Sequence, residues 1–286
     1  MSQPAFRLMM PKTRTTSVIF ASPHSSRAYP ARFLRQSVLD EHMIRSSEDA
    51  FVDQLFQAVP DHGAPFLEAG APRAYIDMNR SPDELDPALI RGLKTTTYNP
   101  RIVSGLGVVP RVVANSRCIY RGKLDMSEVR ARLDGYWYPY HACLQSLLSE
   151  SHDQFDEAIL VDCHSMPHEA LDGLVRTGTR RPEVVLGDRF GAASASLVMD
   201  VIEQAFVDEG LNVSRNVPFA GAYTAQHYGR PSRRQHVIQV EIDRSLYMNE
   251  ALIRPNNNFQ KMQELITRVV AKITDFGASQ RKLAAE

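Results

Sequence analysis

The chain has 286 residues, of which 43% are hydrophobic and 23% charged, and its 33 basic residues balance 33 acidic ones. Such a composition excludes disorder as the default, and the length suits one large α/β core, so 1–286 is expected to form a single catalytic domain. With no net charge there is no long-range field to draw in nucleic acid or an anionic membrane, and a small-molecule partner is expected instead.

In chain order, SVIFASPHSS predicts a first strand over Ser17–Ala21, ended by a Pro-marked turn that carries His24. From Glu48, the run EDAFVDQLFQAV spaces Phe51, Leu55 and Val59 by four residues. It predicts an amphipathic helix capped by Ser46 or Ser47, with Asp49 in its first turn. Ala74–Met78 predicts a second strand leading into Asn79 and Arg80, and SPDELDP opens a long excursion to about Pro110 of the kind that often covers a substrate. Val129, Leu133, Tyr136, Tyr140, Leu144 and Leu147 lie at helical spacing, with Pro139 expected to interrupt the helix.

Ala158–Cys163 opens with four consecutive apolar residues between acidic neighbours, the pattern of a strand buried on both faces at the sheet centre. Asp162 and His164 lie at its end. A helix over Ala192–Asp208 should stop at Gly210, HVIQVEIDR carries Glu241, and a last helix should start near Asn258. Cys118, Cys143 and Cys163 have no CxxC spacing, there is no secretory h-region, and no run is long enough to span a bilayer. Together these features predict reduced thiols and a cytoplasmic setting.

The residues that could carry chemistry recur just past β-like runs. In an open α/β sheet the crevice beyond the carboxyl ends of the strands binds ligands, so residues far apart in sequence can converge there. His24 and His164 suit a catalytic metal, with Asp49 or Glu48 as a third ligand and a fourth position left for water. Asp162, two residues before His164 and on the same strand face, suits an acceptor for a ligand imidazole. Glu241 is an acid among apolar residues, fit for a general base or for a salt bridge with Arg244. Asn79 and Arg80, with Arg73 nearby, suggest recognition of a carboxylate or an oxyanion. The basic loop Arg230, Arg233 and Arg234 is read as a solvated surface that could bind an anion. Ser25, Ser165 and Cys163 neighbour the key histidines, but no GxSxG elbow is present to support a nucleophilic hydrolase.

Taken in order, SPHSSRAYP, SEDAFVDQLF, PRAYIDMNRSPDELDP, GLGVVPR, VDCHSMP, LGDRFG, GRP and QVEIDRSLYM resemble the N-formylglutamate amidohydrolase family. The resemblance runs roughly from Ser22 to Met248. It implies an α/β fold with a mixed, mostly parallel sheet flanked by helices, zinc-carboxypeptidase-like and phosphorylase/hydrolase-like. It also implies release of formate from N-formyl-L-glutamate in histidine catabolism, with one Zn2+ ion or another divalent metal as cofactor. Carried over residue by residue, the resemblance puts the metal on His24, Asp49 and His164, with Glu48 and Asp53 as alternative acids. Asn79 and Arg80 become the substrate clamp, Glu241 the base, and Arg73 the group that polarises the scissile carbonyl. Zinc carboxypeptidases usually carry their metal carboxylate three residues after the first histidine, where this chain has Arg27. A deacylase for another acidic N-acyl amino acid, a carboxypeptidase-like peptidase and a noncatalytic metabolite-binding module are the other readings.

Overall fold

A computed structural model describes residues 3–94, 98–174 and 180–283. Seven strands, β1 (Phe6–Met9), β2 (Val18–Ser22), β3 (Phe66–Ala69), β4 (Ala158–Met166), β5 (Val184–Gly187), β6 (Val213–Arg215) and β7 (Gln235–Asp243), form one sheet in the order β1-β3-β2-β4-β7-β5-β6. Pairing is parallel for β2–β4, β4–β7 and β5–β6 and antiparallel for β5–β7. The sheet is therefore mixed and mostly parallel, as expected. β4 occupies its centre with all nine residues buried, which is why its sequence lacks the alternation of a half-solvated strand.

The helices that matter here are α1 (Met126–Arg132), α2 (Tyr138–Phe155), α3 (Ser196–Val207), α4 (Tyr223–Tyr228) and α5 (Phe259–Leu283). Pro139 does interrupt the predicted helix: the five residues Leu133–Trp137 form a π turn between α1 and α2, one of the usual ways a helix absorbs a missing backbone donor. Gly210, with φ +83°, ends the segment after α3. Among the described residues, no helix is long and apolar enough to cross a membrane.

Two expected elements differ. Ala74–Met78 is a turn rather than a strand, because the N–H groups of Tyr75 and Ile76 both return to Pro72 O while that of Asp77 bonds Val108 O. The third strand of the sheet in chain order is Phe66–Ala69 instead. The helix expected from Glu48 shrinks to Val52–Leu55, preceded by a 3-10 turn over Met43–Ser47. Ser46 Oγ donates to Met43 O, Glu48 is extended, and Phe51 takes a left-handed conformation with φ 68°. Residues 95–97 of the long excursion lie outside the described residues. The described remainder carries one short helical turn, Pro100–Val103, capped by Asn99 Oδ1.

Two compact units form. The first comprises Met1–Arg7, Pro23–Ala50 and Glu68–Cys143, the second Leu8–Ser22, Phe51–Leu67 and Leu144–Glu286. In the first, the fully buried Arg132 lies over the Tyr75 ring at 4.2 Å and donates to Tyr75 O and Tyr120 Oη at 3.0 and 2.7 Å. Burying a guanidinium is tolerable only with such partners. In the second, α3 packs on α5, and α5 approaches β2 so closely that a Cβ at Gly277 would lie 2.6 Å from Val18 Cγ2.

Candidate active site

The turn after β2 delivers His24, whose backbone carbonyl accepts the Asp49 N–H at 3.1 Å. That bond, together with the left-handed Phe51, keeps Asp49 out of a helix. His24 is 1% exposed; its Nδ1 faces Asp49 Oδ2 at 3.3 Å and its Nε2 lies 2.8 Å from Asp77 Oδ1. An imidazole that donates Nε2–H to a carboxylate turns the lone pair of Nδ1 toward Asp49. Glu48 is instead engaged by Arg45, whose Nε and Nη2 reach its two carboxylate oxygens at 3.0–3.2 Å.

Asp77 is the hub of this cluster. Its Oδ1 also accepts the Asn79 N–H at 2.8 Å and its Oδ2 accepts Arg73 Nε at 3.1 Å. Burial alone would raise its carboxyl, but His24, Arg73 and Arg80 outweigh that and hold it well below the usual carboxylate range. Asn79 and Arg80 are both buried. Arg80 donates through Nε to Leu106 O at 3.2 Å and through Nη1 to Asn79 O at 2.8 Å. The same turn is held from the helical side by Trp137 Nε1 on Arg80 O at 3.0 Å and His141 Nε2 on Met78 O at 2.9 Å. Burial pushes the Arg80 guanidinium below its usual value, opposed by Asp77 and assisted by Arg73 and Arg101. A buried cation bonded to neutral carbonyls is a ready receptor for an anion.

On the sheet, His164 of β4 stands in register with Glu241 of β7, and Asp162 with Gln239. Alternation puts these four polar side chains on one face, while Cys163 and Val240 point to the other. His164 Nε2 lies 3.0 Å from Asp162 Oδ2, and Gln239 Nε2 donates to Glu241 Oε1 at 2.8 Å. Arg244 donates to Ser165 Oγ at 3.1 Å and to Ser165 O at 3.3 Å. Burial, with Asp162 beside it, pushes the Cys163 thiol well above its usual value, which makes it a poor nucleophile.

One donor atom each from His24, Asp49 and His164 lies within 4.8 Å of the other two, all three residues being buried. A tetrahedral zinc with bonds of about 2.0–2.2 Å sets its ligand atoms roughly 3.3–3.6 Å apart, and the donor set of two imidazoles and a carboxylate is that of a catalytic site. The 3.3 Å approach of His24 Nδ1 to Asp49 Oδ2 fits such an ion, and a divalent cation would offset the charge of the buried carboxylates. Asp53 sits in the turn Val52–Leu55. Sequence reasoning missed Asp77, Gln239, Trp137 and His141. Asp77 lies in AYIDMNR, whose apolar start favours a strand, and the contacts of the other three are ones that no spacing announces.

A sequence profile of the N-formylglutamate amidohydrolase family matches residues 16–248. The chain is 31% identical over 224 residues to an N-formylglutamate deformylase of Pseudomonas putida, covering 76% of each, and 27% identical over 241 residues to one of Pseudomonas aeruginosa, covering 82% of each. Its fold superposes on the crystal structure of N-formylglutamate amidohydrolase from Ralstonia eutropha JMP134 with a TM-score of 0.89 and 33% identity, covering 96% of this chain and 99% of the other. On these matches the chain belongs to the N-formylglutamate amidohydrolase family, as a hydrolase acting on an amide bond.

Proposed function

We propose that the chain, acting as one catalytic domain, hydrolyses N-formyl-L-glutamate to formate and L-glutamate within histidine catabolism, with a divalent metal, zinc first among candidates, on His24, Asp49 and His164. The observation that carries the metal reading is the convergence of three buried donors within 4.8 Å. The relatives named N-formylglutamate deformylase support the substrate.

A bound divalent ion supplies Lewis acidity toward the carbonyl oxygen and the attacking water. Arg80 binds the glutamate carboxylate and Asn79 orients it, drawing the substrate's charge onto a guanidinium fixed by two backbone carbonyls. Glu241 takes a proton as the water oxygen bonds to the formyl carbon, and Arg73 supports the oxyanion that develops. As the C–N bond breaks, Glu241 returns that proton to the departing nitrogen, giving formate and the free amino acid. Asp77 and Asp162 hold the two imidazoles in the tautomers this arrangement needs. All three cysteines are thiols, which suits the reducing cytoplasm in which we propose the enzyme works.

The test is formate release from N-formyl-L-glutamate by purified protein, before chelation, after it, and after zinc is returned. Turnover lost on chelation and restored by zinc is the expected result. Formate released at an unchanged rate in chelator rejects the metal, and no formate under any metal condition rejects the substrate.

A further inference from the structure

The geometry points to Gln239 as a positioning residue that ties the Glu241 carboxylate to the backbone of the segment entering α4. This role rests on Glu241 being the base. Gln239 is 4% exposed and sits two residues before Glu241 on the same face of β7. Its Oε1 accepts the Ala222 N–H at 3.0 Å while its Nε2 donates to Glu241 Oε1 at 2.8 Å. The orientation of the amide is forced: a backbone N–H can only donate, so Ala222 takes the oxygen and the NH2 group is turned to the carboxylate.

The tethered segment is itself fitted to the sheet. Gly187 of β5 is the register partner of Gln239, and a Cβ there would lie 2.6 Å from Gly221 N and 2.7 Å from Ala220 C and Phe219 O. The missing side chain lets residues 219–221 lie against the strand beside Gln239. Arg189 N donates to Ala220 O at 2.7 Å, and Gly221 adopts φ +101°, a conformation that favours glycine. The segment is therefore held against β5, and Gln239 links its Ala222 N–H to the reacting carboxylate. A glutamate side chain has three torsions, and fixing one of its oxygens removes rotations that would misplace the proton acceptor.

The test is a double-mutant cycle of Gln239→Met with Glu241→Gln, read by single-turnover formate release, bound metal per chain and hydrogen exchange at the Ala222 amide. Gln239→Met should lower kcat about 10- to 100-fold, leave the metal in place, and speed exchange at Ala222; in the Glu241→Gln background it should change kcat by less than about twofold. Gln239→Asn, one methylene too short to bridge both partners, should behave alike and serves if the Met variant does not fold. An unchanged kcat, or the same loss in both backgrounds, overturns the positioning role alone. Wild-type turnover by Glu241→Gln overturns the base reading and the positioning role with it.

Discussion

His24 Nε2 and Asp77 Oδ1 meet at 2.8 Å in a buried hydrogen bond, and the same carboxylate also receives Arg73 Nε and the Asn79 N–H. One aspartate thus fixes the tautomer of an imidazole and anchors the turn that presents Asn79 and Arg80. On the proposed assignment, metal binding and substrate binding share this support.

That sharing makes Asp77→Asn informative. An amide can still accept one hydrogen bond but no longer carries the charge that pairs with Arg73 and polarises His24. Zinc affinity, measured by chelator competition, should fall about 10- to 100-fold, the usual cost of losing such an outer partner. Affinity equal to wild type would remove Asp77 from the support of the metal.

Glu241→Gln separates base chemistry from metal binding. The neutral amide fills the same space on β7 but cannot take a proton. We expect kcat to drop by about 100- to 10,000-fold, with one metal per chain retained by elemental analysis. Metal loss in this variant would instead make Glu241 part of the metal's environment.

How far such roles could be read from sequence depended on where their causes lie. β2 and β4 were legible because consecutive apolar residues dictate burial on both faces, and the residues just past them, His24 and His164, inherit a strand-end position. Asp49 was legible as an acid but not in its conformation: the helix that its neighbours' spacing favours is stopped by the His24 carbonyl and the Arg45–Glu48 pair, neither of which periodicity reveals. Asp77 was hidden because AYI has the composition of a strand, while the actual turn is set by Pro72 O and Val108 O. Gln239 looked like the polar member of an alternating strand, and its work depends on an amide from a loop seventeen residues earlier.

Arg80→Met should act mainly on substrate selection. The guanidinium is buried and fixed, so its loss removes charge-assisted hydrogen bonds to a carboxylate without freeing the backbone that Trp137 holds. KM for an acidic formyl amino acid should rise about 10- to 150-fold, as bonds to charged groups are worth about 1.5–3 kcal/mol each. Hydrolysis of an uncharged formyl amino acid should change little. Equal losses on both substrates would reject the clamp.

Acid stability should report the Arg132–Glu128 pair. Burial disfavours the Glu128 anion, but Arg132, Gln36 and Arg32 outweigh it and hold its carboxyl below the ordinary value of 4.5. A depressed folded pKa gives stability that is complete above the unfolded value and is lost as pH falls through the folded one. Glu128→Gln should therefore be less stable than wild type at neutral pH, and that difference should shrink below about pH 4.5 in denaturant titrations. A pH-independent difference would mean that packing, not charge, joins the two residues.

Gly187→Ala tests whether the segment entering α4 needs its bare strand. The atoms a Cβ would meet, Gly221 N, Ala220 C and Phe219 O, belong to backbone, so no flexible side chain can yield. The segment must lift from β5, carrying Ala222 away from Gln239. Such overpacking should cost about 1–3 kcal/mol in denaturant unfolding and lower kcat together with it. Gly122→Ala is the matched control, because a Cβ there has nothing within 4 Å, and it should leave both quantities unchanged. If Gly187→Ala loses stability yet keeps full turnover, the segment can move without disturbing Glu241. Joint loss of stability and turnover places the fit of residues 219–221 upstream of catalysis.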